Sequence, residues 1–167
     1  MAGSSQVNVK GMKELAEALK DIPENIQKNV LRSSLRAGAK IIQQEALQQV
    51  PVDSGALRAS IKIGTRSSRG VIQATIKAGG KTAWYAKFIE FGTAAHVINA
   101  KPGTFLAFGG GYARSVKHPG IKARPFMRPA LDGRAQAAIQ AVADAMRKRL
   151  ADKHGITVPA PTEEGDE

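Results

Sequence analysis

The sequence contains no cysteine, few aromatic residues and no long apolar run. The absence of cysteine excludes disulfides, thiolate metal sites and cysteine nucleophiles. No stretch approaches the roughly 18 apolar residues that a membrane span requires, and no secretory signal is visible at the N-terminus. We therefore expect a soluble protein that folds in the cytoplasm without contacting a membrane. At 167 residues the chain is long enough for one domain with its own hydrophobic core.

Acidic residues are scarce in the middle of the chain. Between residues 46 and 131 there are thirteen Lys and Arg but only two acids, Asp53 and Glu90. This segment accounts for the whole net charge of +11. Such a field favours a polyanionic neighbour, either nucleic acid or an acidic protein surface. A well-solvated basic face of a sheet is the alternative interpretation.

No set of residues in the sequence forms a catalytic constellation. His96, His118 and His154 lie on separate predicted elements, without the carboxylates that a zinc site or an acid–base pair requires. The glycine run at 109–111 lacks the following Lys-Ser/Thr of a phosphate-binding loop. We therefore predict that the protein is not an enzyme and uses no metal or cofactor.

Residue spacing predicts an α+β fold, in which a long N-terminal helix and a C-terminal helix pack on an antiparallel sheet. Apolar residues recur every three or four positions at 11–20, at 23–49 and at 132–154, which predicts three helices. Asp132 is the expected N-cap of the last helix, and Gly155 is expected to end it. We assign 1–158 to one domain and 159–167 to a disordered acidic tail, with 1–7 flexible.

Alternating apolar and polar residues predict the strands. Two of them, at 57–63 and 72–78, are expected to form a hairpin. A second hairpin is predicted between 96–100 and 105–108, and a short edge strand at 7–10. The glycine-rich, basic segment 109–120 is predicted to be a mobile loop that becomes ordered on a partner.

Four of the eight aromatic residues lie within ten positions, 84–93 (WYAKFIEFGT), around the lone acid Glu90. Their spacing predicts a short helix at 83–91, with Gly92 where a helix C-cap needs positive φ. A buried carboxylate needs a partner, so we expect Glu90 either to pair with a cation or to cap backbone N–H donors. Arg124 and Arg128 are the first cationic candidates. We interpret the segment as architectural.

Three motifs occur in a familiar order: 51–61 (PVDSGALRASI), 85–93 (YAKFIEFGT), and 118–120 (HPG) with 123–131 (ARPFMRPAL). Together they resemble the tail-component family of long-tailed bacteriophages and prophages, the tail-completion or head–tail connector proteins of the neck. The resemblance extends over about residues 7 to 150. It implies a structural virion protein that assembles as a homo-oligomeric ring, expected to be a hexamer, at the head-proximal end of the tail.

The resemblance also implies the partners and the location. The partners would be the tail terminator or tail tube protein and the head-closure ring, with genomic DNA passing through the lumen. The protein would reside in the neck of the virion after assembly in the host cytoplasm. The alternative from another class is a sequence-independent nucleic-acid-binding protein that uses the basic central segment.

The motifs and the basic segment supply the candidate residues. Candidates for subunit or partner contacts come from the second and third motifs: Tyr85, Phe88, Glu90, Phe91, Gly92, Thr93, His118, Arg124, Pro125, Phe126, Arg128 and Pro129. Candidates for facing DNA are cations of the predicted loops and hairpins: Arg66, Arg69, Lys101, Arg114 and Lys117.

Overall fold

The structure, a computed structural model, describes residues 12–20 and 22–158. Its elements in chain order are α1 (Met12–Lys20), α2 (Glu24–Gln49), α3 (Ala56–Ser60), β1 (Lys62–Ser68), β2 (Val71–Lys77), α4 (Ala86–Phe91), β3 (His96–Asn99), β4 (Leu106–Phe108), β5 (Gly111–Ala113), β6 (Ser115–His118) and α5 (Met127–His154). The predicted α+β class is confirmed. The segments 1–7, 7–10 and 159–167, for which flexibility, an edge strand and a tail were predicted, lie outside the described residues.

Helices α2 and α5 pack against each other along their length and run antiparallel. One core cluster joins the end of α2 to the start of α5, where Ala46 meets Phe126 and Ala130. The other cluster joins the start of α2 to the end of α5, where Val30 is buried together with Met146 and Leu150. Helix α1 closes this second cluster through the buried side chain of Leu15. The helix pair is therefore the frame on which the remaining elements are placed.

The two long helices come closest at Gly38. A Cβ atom at this position would lie 2.5 Å from the carbonyl oxygen of Ala138 and 2.5 Å from Cγ2 of Val142. Both distances are well inside van der Waals contact, so any side chain here would force the helices apart. Gly38 is therefore the residue that permits the observed helix spacing.

Strands β1 and β2 form the predicted antiparallel hairpin, which packs on α2. The register pairs Ile63 with Ile76 and Thr65 with Ala74, and these side chains point towards the helix. The antiparallel strands of the described chain form three separate two-stranded sheets, of which this is the longest.

The strand predicted at 57–63 is correct only at its last two residues, because residues 56–60 form the short helix α3. Leu57 and Ile61 are buried, and a spacing of four places two residues on the same side of both a helix and a strand. Ala59 distinguishes the two structures: a strand would bury it beside Leu57, whereas it is exposed. Gly55, with φ of 78°, starts the helix, and β1 follows from Lys62.

The pairing predicted between 96–100 and 105–108 is also wrong. Strand β3 pairs with β6, and β4 pairs with β5 across the two-residue turn Gly109–Gly110. A turn does form at 101–104, where the N–H of Thr104 donates to the carbonyl oxygen of Lys101 (2.9 Å), but the strands on either side of it do not pair with each other. The hairpin turn lies at Gly109–Gly110, where Gly110 has φ of 101°, a value that glycine adopts readily. The segment 109–120 is therefore largely strand. Residues 93–121 form one long nested hairpin, which we call the arm.

Candidate assembly surface

Glu90 caps the N-terminus of α5. Its carboxylate accepts hydrogen bonds from the backbone N–H groups of Phe126 (2.8 Å), Met127 (3.0 Å) and Arg128 (3.0 Å). These are the first donors of the helix, which have no partner within the helix itself. Among the described residues no Lys or Arg side chain forms a salt bridge with Glu90, so the capping alternative is the correct one.

This distant cap explains why the start of α5 was predicted wrongly. The helix begins at Met127, five residues before the predicted start, and Asp132 lies exposed inside it. No local residue caps the helix, since Phe126 at the N-cap position makes no side-chain hydrogen bond. Pro129 fits in the first turn because a proline there sacrifices no intrahelical hydrogen bond.

Two opposing effects act on the Glu90 carboxyl group, which is only 8% exposed. Burial acts to raise its pKa, but the three backbone hydrogen bonds and the nearby charge of Arg128 outweigh burial, and the net pKa lies below its ordinary value. The carboxylate is therefore ionised near neutral pH, and its charge also complements the positive end of the helix dipole.

The two chain segments at the base of the arm are held together by close backbone contacts. Thr93 and Ile121 form a β-bridge, with N–H to carbonyl oxygen distances of 2.9 and 3.1 Å. Gly92 has φ of 70°, and a Cβ atom there would lie 2.6 Å from the carbonyl oxygen of Ile121. At Gly120, with φ of 88°, a Cβ atom would overlap the carbonyl oxygen of Thr93. Both glycines are required to bring the two segments together.

The predicted contact residues lie in three settings. Glu90 and Phe126 are buried inside the protomer. Tyr85 is half-buried against the same core, and Phe88 is half-buried with its ring 5.9 Å from that of Trp84. Gly92 and Thr93 form the base of the arm, and His118 lies in β6 with its ring centroid 5.0 Å from that of His96. Phe91, Arg124, Pro125, Arg128 and Pro129 are exposed. The base of the arm thus brings most of them together, and His118 adjoins it, because its Nδ1 accepts a 3.0 Å hydrogen bond from the N–H of Gly120.

The arm exposes apolar side chains that were not among the predicted contact residues. Tyr112 is 80% exposed, Phe105 57% and Val97 53%. The arm has no core of its own and packs little on the rest of the molecule. The sequence signal for this surface was the β-branched pair Val97-Ile98 together with Val116, which pairs with Ile98 across β3 and β6.

An apolar groove of about 780 Å³ lies between β2 and α5, with α2 as its floor. Both elements pack on α2 but make little contact with each other. Apolar residues from each side line the groove, including Ile76, Ile139 and Val142. Phe91 and Leu131 also belong to the lining, and at 67% and 50% exposure they present large apolar surfaces to solvent.

The five cations predicted to face DNA are all exposed. Arg66 and Arg69 lie at the tip of the β1–β2 hairpin, whereas Lys101, Arg114 and Lys117 lie on the arm. The guanidinium of Arg114 lies over the Phe105 ring, 5.4 Å from its centroid. Within the described residues none of the five forms a salt bridge. The structure thus divides them between two separate hairpins.

Within 12–20 and 22–158, no group of three or more His, Cys, Asp or Glu side chains is arranged to hold a metal ion. In the same part of the chain, no helix is long and apolar enough to cross a membrane.

Comparison with known proteins supports the resemblance found in the motifs. Residues 13–92, slightly under half of the chain, match the model of the HK97-gp10-like family, described as "Bacteriophage HK97-gp10, putative tail-component". The match extends from α1 through the aromatic segment and ends at Gly92, the base of the arm. No curated protein and no solved structure matches the chain. The match supports a bacteriophage tail component with a structural role in the virion.

Proposed function

We propose that this chain is a bacteriophage tail component that forms a ring in the neck of the virion, where it completes the tail and joins it to the head. The observation that carries the proposal is the arm, which exposes Val97, Phe105 and Tyr112 to solvent and has no core of its own. A folded chain gains stability by removing such side chains from water. In a virion, neighbouring protein subunits would cover them.

The ring would be built from identical subunits, expected to number six. Its partners would be the tail terminator or tail tube protein on one side and the head-closure ring on the other. Genomic DNA would pass through the lumen. The exposed cations of the two hairpins suit such a lumen, because they contact phosphates without reading sequence.

Electron microscopy of particles made without this protein tests the proposed function. We expect filled or empty heads beside separate tails, because the two halves of the virion would lack their joint. Complementation with the wild-type chain should restore joined particles. Normally joined virions in its absence would contradict the proposal.

A second candidate function is sequence-independent binding of nucleic acid by the free protein. The net charge of +11 and the exposed Arg66, Arg69 and Lys117 favour it. Tight binding of random duplex DNA by the purified chain, weakening steeply as salt increases, would support this function. No such binding, together with rings on the ends of tails, would support the structural role instead.

A further inference from the structure

We propose that the groove between β2 and α5 receives the arm of a second copy of this chain. The inference rests on the proposed ring and specifies the contact that would build it. Three observations carry it: an apolar groove that the protomer leaves open, an apolar arm that the protomer leaves uncovered, and a rigid base that keeps the two apart.

The groove exposes part of the apolar face of α5, which the spacing of its apolar residues predicts to be buried. In α5, the residues Ala135, Ile139 and Val142 continue the apolar line that is fully buried further on, at Met146 and Leu150. In the protomer these three are only half-buried, because they line the groove. Val142 packs against the second core cluster, whereas Ala135 and Ile139 belong to neither cluster. A helix that buries its apolar stripe near both ends is expected to bury it in the middle as well, so the stripe at Ala135 and Ile139 lacks its partner.

The arm, in turn, exposes apolar side chains that nothing in the described part of the protomer covers. Two-stranded hairpins are marginally stable in water unless a hydrophobic face packs on something else. The β4–β5 end of the arm carries Phe105 and Tyr112 with more than half of their surfaces exposed. Aromatic side chains contribute much of the binding energy when they enter a desolvated site on a partner. The end of the arm is therefore the part expected to enter the groove.

The arm does not reach the groove of its own protomer. Phe91 lines the groove, and Gly92, the next residue, begins the base of the arm. The bridge between Thr93 and Ile121 and the tight contacts of Gly92 and Gly120 set the direction in which the arm leaves the molecule. Among the arm residues whose side chains the structure describes, none lines the groove. An identical arm from a neighbouring molecule meets no such constraint.

An arm that enters a neighbour's groove makes a heterologous contact, because the two surfaces on each subunit differ. Such contacts leave one free arm and one free groove after every addition, until a ring closes or a filament grows. This is the geometry that a ring-forming neck protein requires.

A mixing experiment tests the contact. One variant removes the arm surface by F105S with Y112S, and the other blocks the groove by L131E; all three residues are exposed, so folding should be retained. Each variant alone should associate at least about tenfold more weakly than the wild type in sedimentation measurements. Mixed together, they should form a 1:1 heterodimer and nothing larger, since only one intact arm and one intact groove remain.

Two controls accompany the experiment. V52S replaces an exposed apolar residue of the turn after α2, which belongs to neither the groove lining nor the arm, and should associate like the wild type. Thermal unfolding of every variant should match that of the wild type within the range typical of surface substitutions. A variant with an altered melting transition would be replaced by the milder Y112S or L131S alone.

Cysteine cross-linking identifies the occupant of the groove, since the chain has no cysteine of its own. Y112C mixed with L131C should give a mixed disulfide, whereas R69C mixed with L131C should not. Three results would overturn the inference. The first is self-association that survives both variants, and the second is a wild-type chain that stays monomeric at every protein and salt concentration. The third is cross-linking of L131C to V7C instead, which would identify the N-terminal segment as the occupant of the groove. These results concern only the contact between arm and groove. If rings are still seen on tail ends, the proposed function is retained, whereas joined virions in the absence of the protein would contradict the proposed function itself.

Discussion

Glu90 accepts a 2.8 Å hydrogen bond from the backbone N–H of Phe126, 36 residues further along the chain. This bond joins the end of the aromatic segment to the start of the last helix, and the arm lies between the two residues. The same carboxylate also holds the next two N–H groups of α5. Removing Glu90 therefore affects the helix start and the base of the arm together.

Glu90→Gln should lower the free energy of unfolding by about 1–2 kcal/mol, because a neutral amide oxygen replaces a charged cap of the helix. Urea denaturation of the two proteins measures the difference. The matched control is Asp53→Asn, an exposed acid in the only other acidic position of the central segment, for which almost no change is expected. Equal effects of the two substitutions would show that the cap contributes nothing.

The contribution of Glu90 to stability should depend on pH. Its folded pKa lies below the ordinary value of 4.5, so folding favours the ionised form. The stabilisation is therefore fully present above about pH 4.5 and is lost as pH falls through the folded pKa. The difference in melting temperature between wild type and Glu90→Gln should narrow between about pH 7 and about pH 3. A difference that stays constant over this range would contradict the assignment.

Gly38→Ala should destabilise the protein, although alanine is the better helix former by about 1 kcal/mol. The added methyl group would lie 2.5 Å from the carbonyl oxygen of Ala138, which cannot move without shifting α5. Gly133→Ala is the matched control, because no atom lies within 4 Å of the added group, and it should stabilise the protein by about 0.5–1 kcal/mol. Chemical denaturation of both variants should give opposite signs. The same sign for both would show that the close helix approach is not a constraint.

Phe126→Ala and Phe91→Ala should separate the core from the proposed contact surface. Phe126 is fully buried, so its truncation should cost about 3–5 kcal/mol of folding free energy. Phe91 is 67% exposed, so its truncation should leave folding nearly unchanged and weaken self-association instead. Calorimetry and sedimentation measure the two effects independently. A large loss of stability from Phe91→Ala would remove it from the contact surface.

Salt should act oppositely on self-association and on DNA binding. The arm and the edge of the groove both carry cations, including Arg114, Lys87 and Arg128, so subunits of net charge +11 repel one another. Screening that repulsion, by raising salt from about 0.05 M to about 0.5 M, should strengthen apolar association. The same change should weaken DNA binding, because counterions released from the DNA gain less entropy when the surrounding salt is more concentrated. Self-association that weakens with salt would indicate a contact built on ion pairs.

Periodicity was sufficient to predict the elements with a strong local signal. The ends of α2 and α5 were correctly placed at Pro51 and Gly155, since proline cannot continue a helix and glycine takes the left-handed conformation observed there. The second strand of the β1–β2 hairpin was placed correctly to within one residue, because apolar and polar residues alternate along it. At 57–61 the same signal failed, since burial at Leu57 and Ile61 is compatible with a helix and a strand alike.

The candidate site was predicted in its composition but not in its geometry. The aromatic segment, the capping alternative for Glu90 and the resemblance to phage tail components were all readable in the residues. The burial of Phe126 and the exposure of Tyr112 were not, because they depend on which distant segments meet. The arm corresponds to no periodic pattern of its own, and the groove exists because two periodic elements, β2 and α5, both pack on α2 but make little contact with each other.

The amino-acid sequence alone therefore determines the class of the fold, the C-terminal ends of its two long helices and the excess of positive charge. These properties arise from residues near one another in the chain, whose spacing is visible without coordinates. Tertiary structure alone decides that Glu90 caps α5 rather than pairing with Arg128, and that β3 pairs with β6 rather than β4. Those choices are made between segments far apart in the chain, where packing and available hydrogen-bond donors outweigh local preference.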